Sequence, residues 1–415
     1  MKRLLGSLGL FASMLVAGVS HLLAPREPAE EWERLERDWR KRRKRRILFE
    51  VAAILAVLGL GGFLVAASGI IPIKASSGHW PITVWFLKFS MHRSFSTHSL
   101  GVKVPRLGDP GMVLRGAGHY ETGCRPCHGS PDLPQPRIAA AMLPVPPYLP
   151  PVIHEWKPAE LFSVVKHGVK LTGMPAWPSQ QRDDEVWAMV AFLLVMPELD
   201  AEEYRRLVHG GIPATGGGEP MPDLLAPEKP PKAVLETCAR CHGADGRGRV
   251  RGAFPRLAGQ RPTYLHASLR AFARGERHSG IMGPIAAGLS PAEMRDLARY
   301  FASLPAAPAV RPEFSEAVER GRVIAHRGIP GRKVPSCADC HGPGAVRRNP
   351  VFPVLAGQDA LYLVQQLELF KKKHRGGSPW AHLMHPVAGR LSTEQMRDVA
   401  LYYESLAAGR GGEPR

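Results

Sequence analysis

The chain of 415 residues carries 55 Lys and Arg against 37 Asp and Glu, a net charge of +18. At roughly 100–200 residues per domain, its length predicts two to four domains. Hydrophobic content of 44% with 22% charged residues excludes wholesale disorder and a polytopic transporter, while 40 prolines and 43 glycines point to many loops and linkers.

Residues 1–24 form a first apolar segment, read as a transmembrane helix that is retained with its N-terminus outside; Met1-Lys2-Arg3 before an apolar core also suits a cleaved signal peptide. Residues 25–46 are a basic loop ending in Arg40-Lys41-Arg42-Arg43-Lys44-Arg45-Arg46, which the positive-inside rule places in the cytoplasm. Residues 47–73 form a second apolar run, long enough to cross a ~30 Å hydrocarbon layer at ~1.5 Å per residue, so the remainder of the chain emerges on the far side. A juxtamembrane segment, 74–105, holds the apolar run Trp80 to Leu87. It is too short to span and suits either the membrane interface or packing against the next domain.

Three units follow, at 106–206, 232–305 and 312–408, with a Gly/Pro-rich linker at 207–231. Each opens with a helix leading into the same spacing: Cys124-Arg-Pro-Cys127-His128, Cys238-Ala-Arg-Cys241-His242 and Cys337-Ala-Asp-Cys340-His341. CxxCH is the attachment sequence of c-type haem. Two thiols one helical turn apart each add to a vinyl group of one porphyrin, and the adjacent His supplies the proximal nitrogen to the iron. A zinc site would need further Cys ligands, of which none remain, and a thioredoxin-like site one CxxC within a βαβ pattern. Three covalent haem c groups per chain are expected, and their apolar surface substitutes for a core that units this small otherwise lack.

A Met thioether is the expected sixth ligand. Met174, in Gly173-Met174-Pro175, is the candidate in the first unit, with Met142 as the alternative. Met282 is the candidate in the second, beside His278 and Met294, and Met384 in the third, flanked by His382 and His385. Met294 and Met396 occupy matching places in the last helices and read as core.

Units two and three are duplicated. Phe254-Pro-Arg-Leu-Ala-Gly-Gln260 matches Phe352-Pro-Val-Leu-Ala-Gly-Gln358, and Leu289-Ser-Pro-Ala-Glu-Met-Arg-Asp296 matches Leu391-Ser-Thr-Glu-Gln-Met-Arg-Asp398. The CxxCH–loop–Met–helix pattern over ~106–408 resembles class I cytochromes c, and units two and three are similar to the tandem diheme cytochromes of the c-four type. Unit one, with Thr172-Gly-Met-Pro-Ala-Trp177, looks like the single-haem domains of membrane-bound respiratory complexes. The resemblance implies an all-α fold of three small domains in tandem behind a membrane anchor, with His/Met-ligated haem. It also implies that Arg256, Gln260, Tyr264, Gln358 and Tyr362 pack around haem and its propionates. Haem is attached outside the cytoplasmic membrane in such proteins, in agreement with the charge-derived topology, so the haem domains are expected to face the periplasm.

The function expected is electron carriage between respiratory-chain partners, with no catalytic residues of its own. The partners are redox proteins, such as a quinol-oxidising complex, a dehydrogenase or a terminal oxidase, together with the membrane; nucleic acid is not among them. Two other readings stand beside it: a cytochrome subunit of a membrane dehydrogenase or terminal oxidase, and a haem peroxidase or gas sensor with one open haem.

Overall fold

The computed structural model describes residues 29–71, 73–210, 237–306, 315–342, 349–378 and 380–407. The first apolar segment and nearly all of the linker lie outside them. The chain divides into two units, residues 1–77 and 78–415.

In the first unit, helix α1 runs unbroken from Ala29 to Ala67. The basic stretch expected as a loop at 25–46 is therefore helical from Ala29, and the apolar helix expected to reach residue 73 closes at Ala67. Ion pairs one turn apart, Glu33–Arg37, Glu36–Arg40 and Glu50–Arg46, give the basic turns helical support. Among the described residues α1 is the one helix long and apolar enough to cross a membrane, and none of its apolar window is buried.

The second unit is helical; no strand occurs among the described residues, only the isolated bridges Ser130–Leu133 and Ile329–Val334. Helix α2 (Pro81–His98) lies in the juxtamembrane segment. Its C-terminal half packs on the first domain, His92 stacking on Trp156 at 4.3 Å, while Trp80, Ile82, Trp85, Phe86 and Leu87 in and before its N-terminal half stay exposed.

In the first domain, Asp109 caps α3 (Pro110–Gly123) by accepting from the Met112 amide, with Pro110 at the first turn. Helix α3 leads into α4 (Arg125–His128) and crosses α7 (Asp183–Val195), while the short α5 (Arg137–Ala140) and α6 (Pro158–His167) lie between. The crossing is close because Gly116 lacks a Cβ, which would overlap the Ala188 carbonyl. Tyr120, Phe192 and Tyr204 fill the space beside it, all fully buried. Tyr204 comes from α8 (Ala201–His209), which extends three residues into the expected 207–231 linker; its capping box Asp200/Glu203 starts it and left-handed Gly210 ends it.

The second domain contains α9 (Ala239–His242), α10 (Pro262–Ala273), α11 (Met282–Ala287) and α12 (Pro291–Ser303) around Leu265, Leu297, Ala298 and Phe301. The third contains α13 (Ser315–Arg327), α14 (Ala338–His341), α15 (Ala360–Lys371), α16 (Met384–Arg390) and α17 (Thr393–Ser405). Helices α13 and α17 repeat the glycine crossing, with Gly321 against the Asp398 carbonyl. The duplicated Leu-Ser pattern is a pair of capping boxes. Ser290 and Glu293 exchange amide bonds at the start of α12, as Ser392 and Gln395 do at α17, satisfying two helix-end donors each time.

Candidate haem sites and the seams between them

Each CxxCH is a single helical turn, and in the first and third it hangs on the carbonyl of the first Cys: His128 and His341 donate their amides to Cys124 and Cys337 at 3.0 and 2.9 Å. The glycine after each His closes the turn with positive φ, 67° at Gly129 and 78° at both Gly243 and Gly342, a conformation that penalises a side chain. Five of the six cysteines are half-buried and Cys340 is exposed. Burial pushes the Cys124 thiol up to about 12 and the Cys238 and Cys337 thiols up to about 11, which opposes a thiolate redox or metal site.

All three histidines share one feature. Nδ1 of His128 donates to the Pro147 carbonyl at 2.8 Å, Nδ1 of His242 to Pro255 at 3.0 Å and Nδ1 of His341 to Pro353 at 3.0 Å. A carbonyl only accepts, so Nδ1 carries the proton and Nε2 the lone pair, the tautomer a metal-binding imidazole needs.

The methionines sit as follows. Met174 is half-buried, its amide held by the Thr172 hydroxyl at 3.1 Å. Met142 lies against the same loop, its methyl where a Cβ on Gly173 would stand, so the fold brings both first-unit candidates together. Met282 opens α11 with its amide on the Ser279 hydroxyl at 2.9 Å. Met384 is half-buried against Phe370, Ala381 and Ala388. Its neighbour His385 donates from Nε2 to the Arg375 carbonyl at 3.0 Å, and His382 is exposed. Met294 and Met396 are core residues, 6% and 1% exposed.

Domains two and three meet in a seam of reciprocal contacts. Gln260 holds the backbone of Val354 through both its amide atoms, and Gln358 does the same to Arg256. Arg277 donates to the Tyr362 hydroxyl at 3.1 Å and Arg375 to that of Tyr264 at 3.3 Å. Each guanidinium also lies over a ring, Phe272 and Phe370 respectively, and neither has a carboxylate partner among the described residues. Burial alone would raise the Tyr264 pKa, but Arg277 and Arg375 pull it down to about 8. Arg277 and Arg375 escape a reading of the sequence motif by motif. Their signal is the 98-residue offset that also relates Gln260 to Gln358 and Tyr264 to Tyr362. Arg251 and the buried Glu404 close one end of the seam.

Domains one and two also meet. Gly118 on α3 faces the Cys241 sulfur, so close that a Cβ there would stand 3.1 Å from it, with Phe254 alongside. Arg249 donates to the carbonyls of Leu207 and Val208 at the end of α8 and to that of Arg240 within the second CxxCH, at 2.8–2.9 Å. A buried ionic cluster completes the joint. Arg182 holds Asp184 through two bonds of 2.8 and 2.9 Å and pairs with Glu185 at 2.9 Å. Burial works against the charged Arg182, yet Glu185 and Asp184 carry its pKa above the ordinary value. Burial dominates at Glu185 and raises its pKa, against the pull of Arg182. Gln365 of the third domain donates to Asp184 at 2.7 Å.

Residues 111–193 match the family model described as cytochrome c oxidase, cbb3-type, subunit III, and residues 230–305 match that of cytochrome c. A thiosulfate dehydrogenase electron acceptor from Thiomonas intermedia is 41% identical over 173 residues, which is 41% of this chain and 78% of that one. The chain belongs to the cytochrome c family. Cytochrome c4 from Thiocapsa roseopersicina is 36% identical over 173 residues, covering 41% of this cytochrome and 87% of the relative. The solved thiosulfate dehydrogenase from Marichromatium purpuratum is 41% identical over 41% of this chain and 36% of that one, with a TM-score of 0.37. This cytochrome is thus an electron carrier built from cytochrome c-type domains in tandem, and its cofactor is covalently bound haem c.

Proposed function

We propose that the cytochrome binds three haem c groups and relays electrons on the periplasmic face of the cytoplasmic membrane, anchored by α1. Cys124 and Cys127, Cys238 and Cys241, and Cys337 and Cys340 form the thioethers. His128, His242 and His341 are the proximal ligands, and Met174, Met282 and Met384 the distal ones. The domains holding them are 106–206, 232–305 and 312–408. The observation that carries this reading is the Nδ1–carbonyl bond, made three times at the same place after the same one-turn helix. Bound haem supplies one-electron chemistry; the protein sets its ligands, buries it and excludes water. Arg277 and Arg375, with no carboxylate partner among the described residues, fit the propionates of the second and third haems.

Relatives named as electron acceptors of thiosulfate dehydrogenase support a periplasmic dehydrogenase of that kind as the donor, with the excess positive charge favouring acidic docking faces. The match of residues 111–193 to an oxidase subunit favours a second reading, a fixed cytochrome subunit of a terminal oxidase. Intact-mass measurement of protein purified from membranes is expected to give three haems, and two or fewer would remove a site. Co-purification separates the two readings: a stable oxidase core supports the subunit, whereas reduction by a thiosulfate dehydrogenase without a stable complex supports the carrier.

A further inference from the structure

The loop that presents Met282 is gripped from outside its own domain. Glu185, on the first turn of α7 in domain one, accepts from the Ser279 hydroxyl at 2.6 Å and from the Gly280 amide at 2.6 Å. The same carboxylate accepts from the Trp177 indole at 3.2 Å, and Trp177 belongs to the loop that follows Met174. The approach is only open to glycine, since a Cβ on Gly280 would run into the Trp177 indole. Ser279 passes the grip on: its oxygen accepts from the amides of Ile281 at 3.2 Å and Met282 at 2.9 Å. Next door, Arg182 donates to the His278 carbonyl at 2.8 Å. Glu185 and Ser279 are 6% and 8% exposed, so water offers these donors no substitute partner.

We propose that Glu185 is a positioning residue for the second haem: acting through Ser279 from the neighbouring domain, it fixes the backbone from which Met282 reaches the iron. This rests on the assignment of Met282 as that haem's distal ligand. The first domain then does more than add a redox centre. It governs whether the second haem keeps six ligands, and a loosened joint between the domains opens that iron to small molecules.

The test compares Glu185→Gln, Ser279→Ala, Ser279→Thr and Met282→Ala in the full haem-loaded chain. The readouts are the ferric methionine-to-iron charge-transfer band, carbon monoxide binding to the ferrous protein, and the midpoint potentials. Glu185→Gln and Ser279→Ala are expected to let carbon monoxide bind about one haem in three, to weaken the charge-transfer band and to lower one midpoint, because thioether ligation raises the potential. Ser279→Thr, which keeps the hydroxyl and leaves the ion cluster untouched, is expected to restore the wild-type values. If Met282→Ala removes about a third of the band while Glu185→Gln and Ser279→Ala leave band, carbon monoxide binding and midpoints unchanged, the positioning role is refuted. If Met282→Ala leaves the band whole, the ligand assignment fails instead.

Discussion

His119 makes the stability of the first domain sensitive to mild acid. It lies on α3 with its ring edge-on to Trp177 at 4.8 Å, and its Nδ1 is buried with no hydrogen-bond partner. Burial, and then the positive charge of Arg240 across the joint, lowers its pKa from 6.5 to about 4. Above pH 6.5 both folded and unfolded chains hold it neutral, and it contributes no pH dependence. Below 6.5 the unfolded chain takes up a proton that the folded domain refuses, so stability falls with pH until about 4. At ~1.4 kcal/mol per pH unit the full loss is about 3 kcal/mol, of which about 2 kcal/mol is gone by pH 5. His119→Phe keeps a ring against Trp177 and forfeits no hydrogen bond at Nδ1. Hydrogen exchange of α3 and α7 peptides at pH 7 and pH 5 should show the variant losing about 2 kcal/mol less than wild type between the two. Other groups titrate equally in both proteins and cancel. Identical pH dependence would show that His119 is already protonated in the folded domain and refute the reasoning.

Two further outcomes follow from packing. Gly116→Ala and Gly321→Ala each drive a methyl group into the carbonyl of the crossing helix, and each should cost about 1–3 kcal/mol, read as a lower melting temperature of the first or third domain alone; unchanged melting would mean the crossings are looser than they stand. Glu404→Gln removes the charge that meets Arg251 and weakens the acceptor for the Ala360 amide at 3.2 Å. A loss of about 1–3 kcal/mol from the third domain is expected in thermal melts, and a neutral result would show the pair to be dispensable.

How much of this was legible in the sequence depends on how far apart the cooperating residues lie. The CxxCH turns were, because porphyrin attachment requires its thiols and imidazole within five consecutive residues. The all-α fold followed from the resemblance those motifs carry, and the duplicated Leu-Ser segments were visible as a repeat, though their role as capping boxes at Ser290 and Ser392 emerged only in the structure. The helical start of α1 was not: a run of basic residues reads as a loop until Glu33, Glu36 and Glu50 are placed one turn from their arginines. The seams were the least legible. Ser279 stands 94 residues from Glu185 and Arg277 85 from Tyr362, and no local pattern records such pairings. The meeting of Met142 with the Met174 loop at Gly173, 31 residues on in the chain, was likewise visible only in the structure.

The reciprocal glutamines have a consequence for the origin of the tandem. Gln260 does to Val354 what Gln358 does to Arg256, so the two repeats meet as the halves of an isologous dimer do, patch on identical patch. Such a face is satisfied by a twin of itself, and fusion holds the twin at an effective concentration on the order of millimolar. The joint can therefore be built from a handful of polar contacts, and a lone repeat cut from the chain would carry an edge that still fits its double.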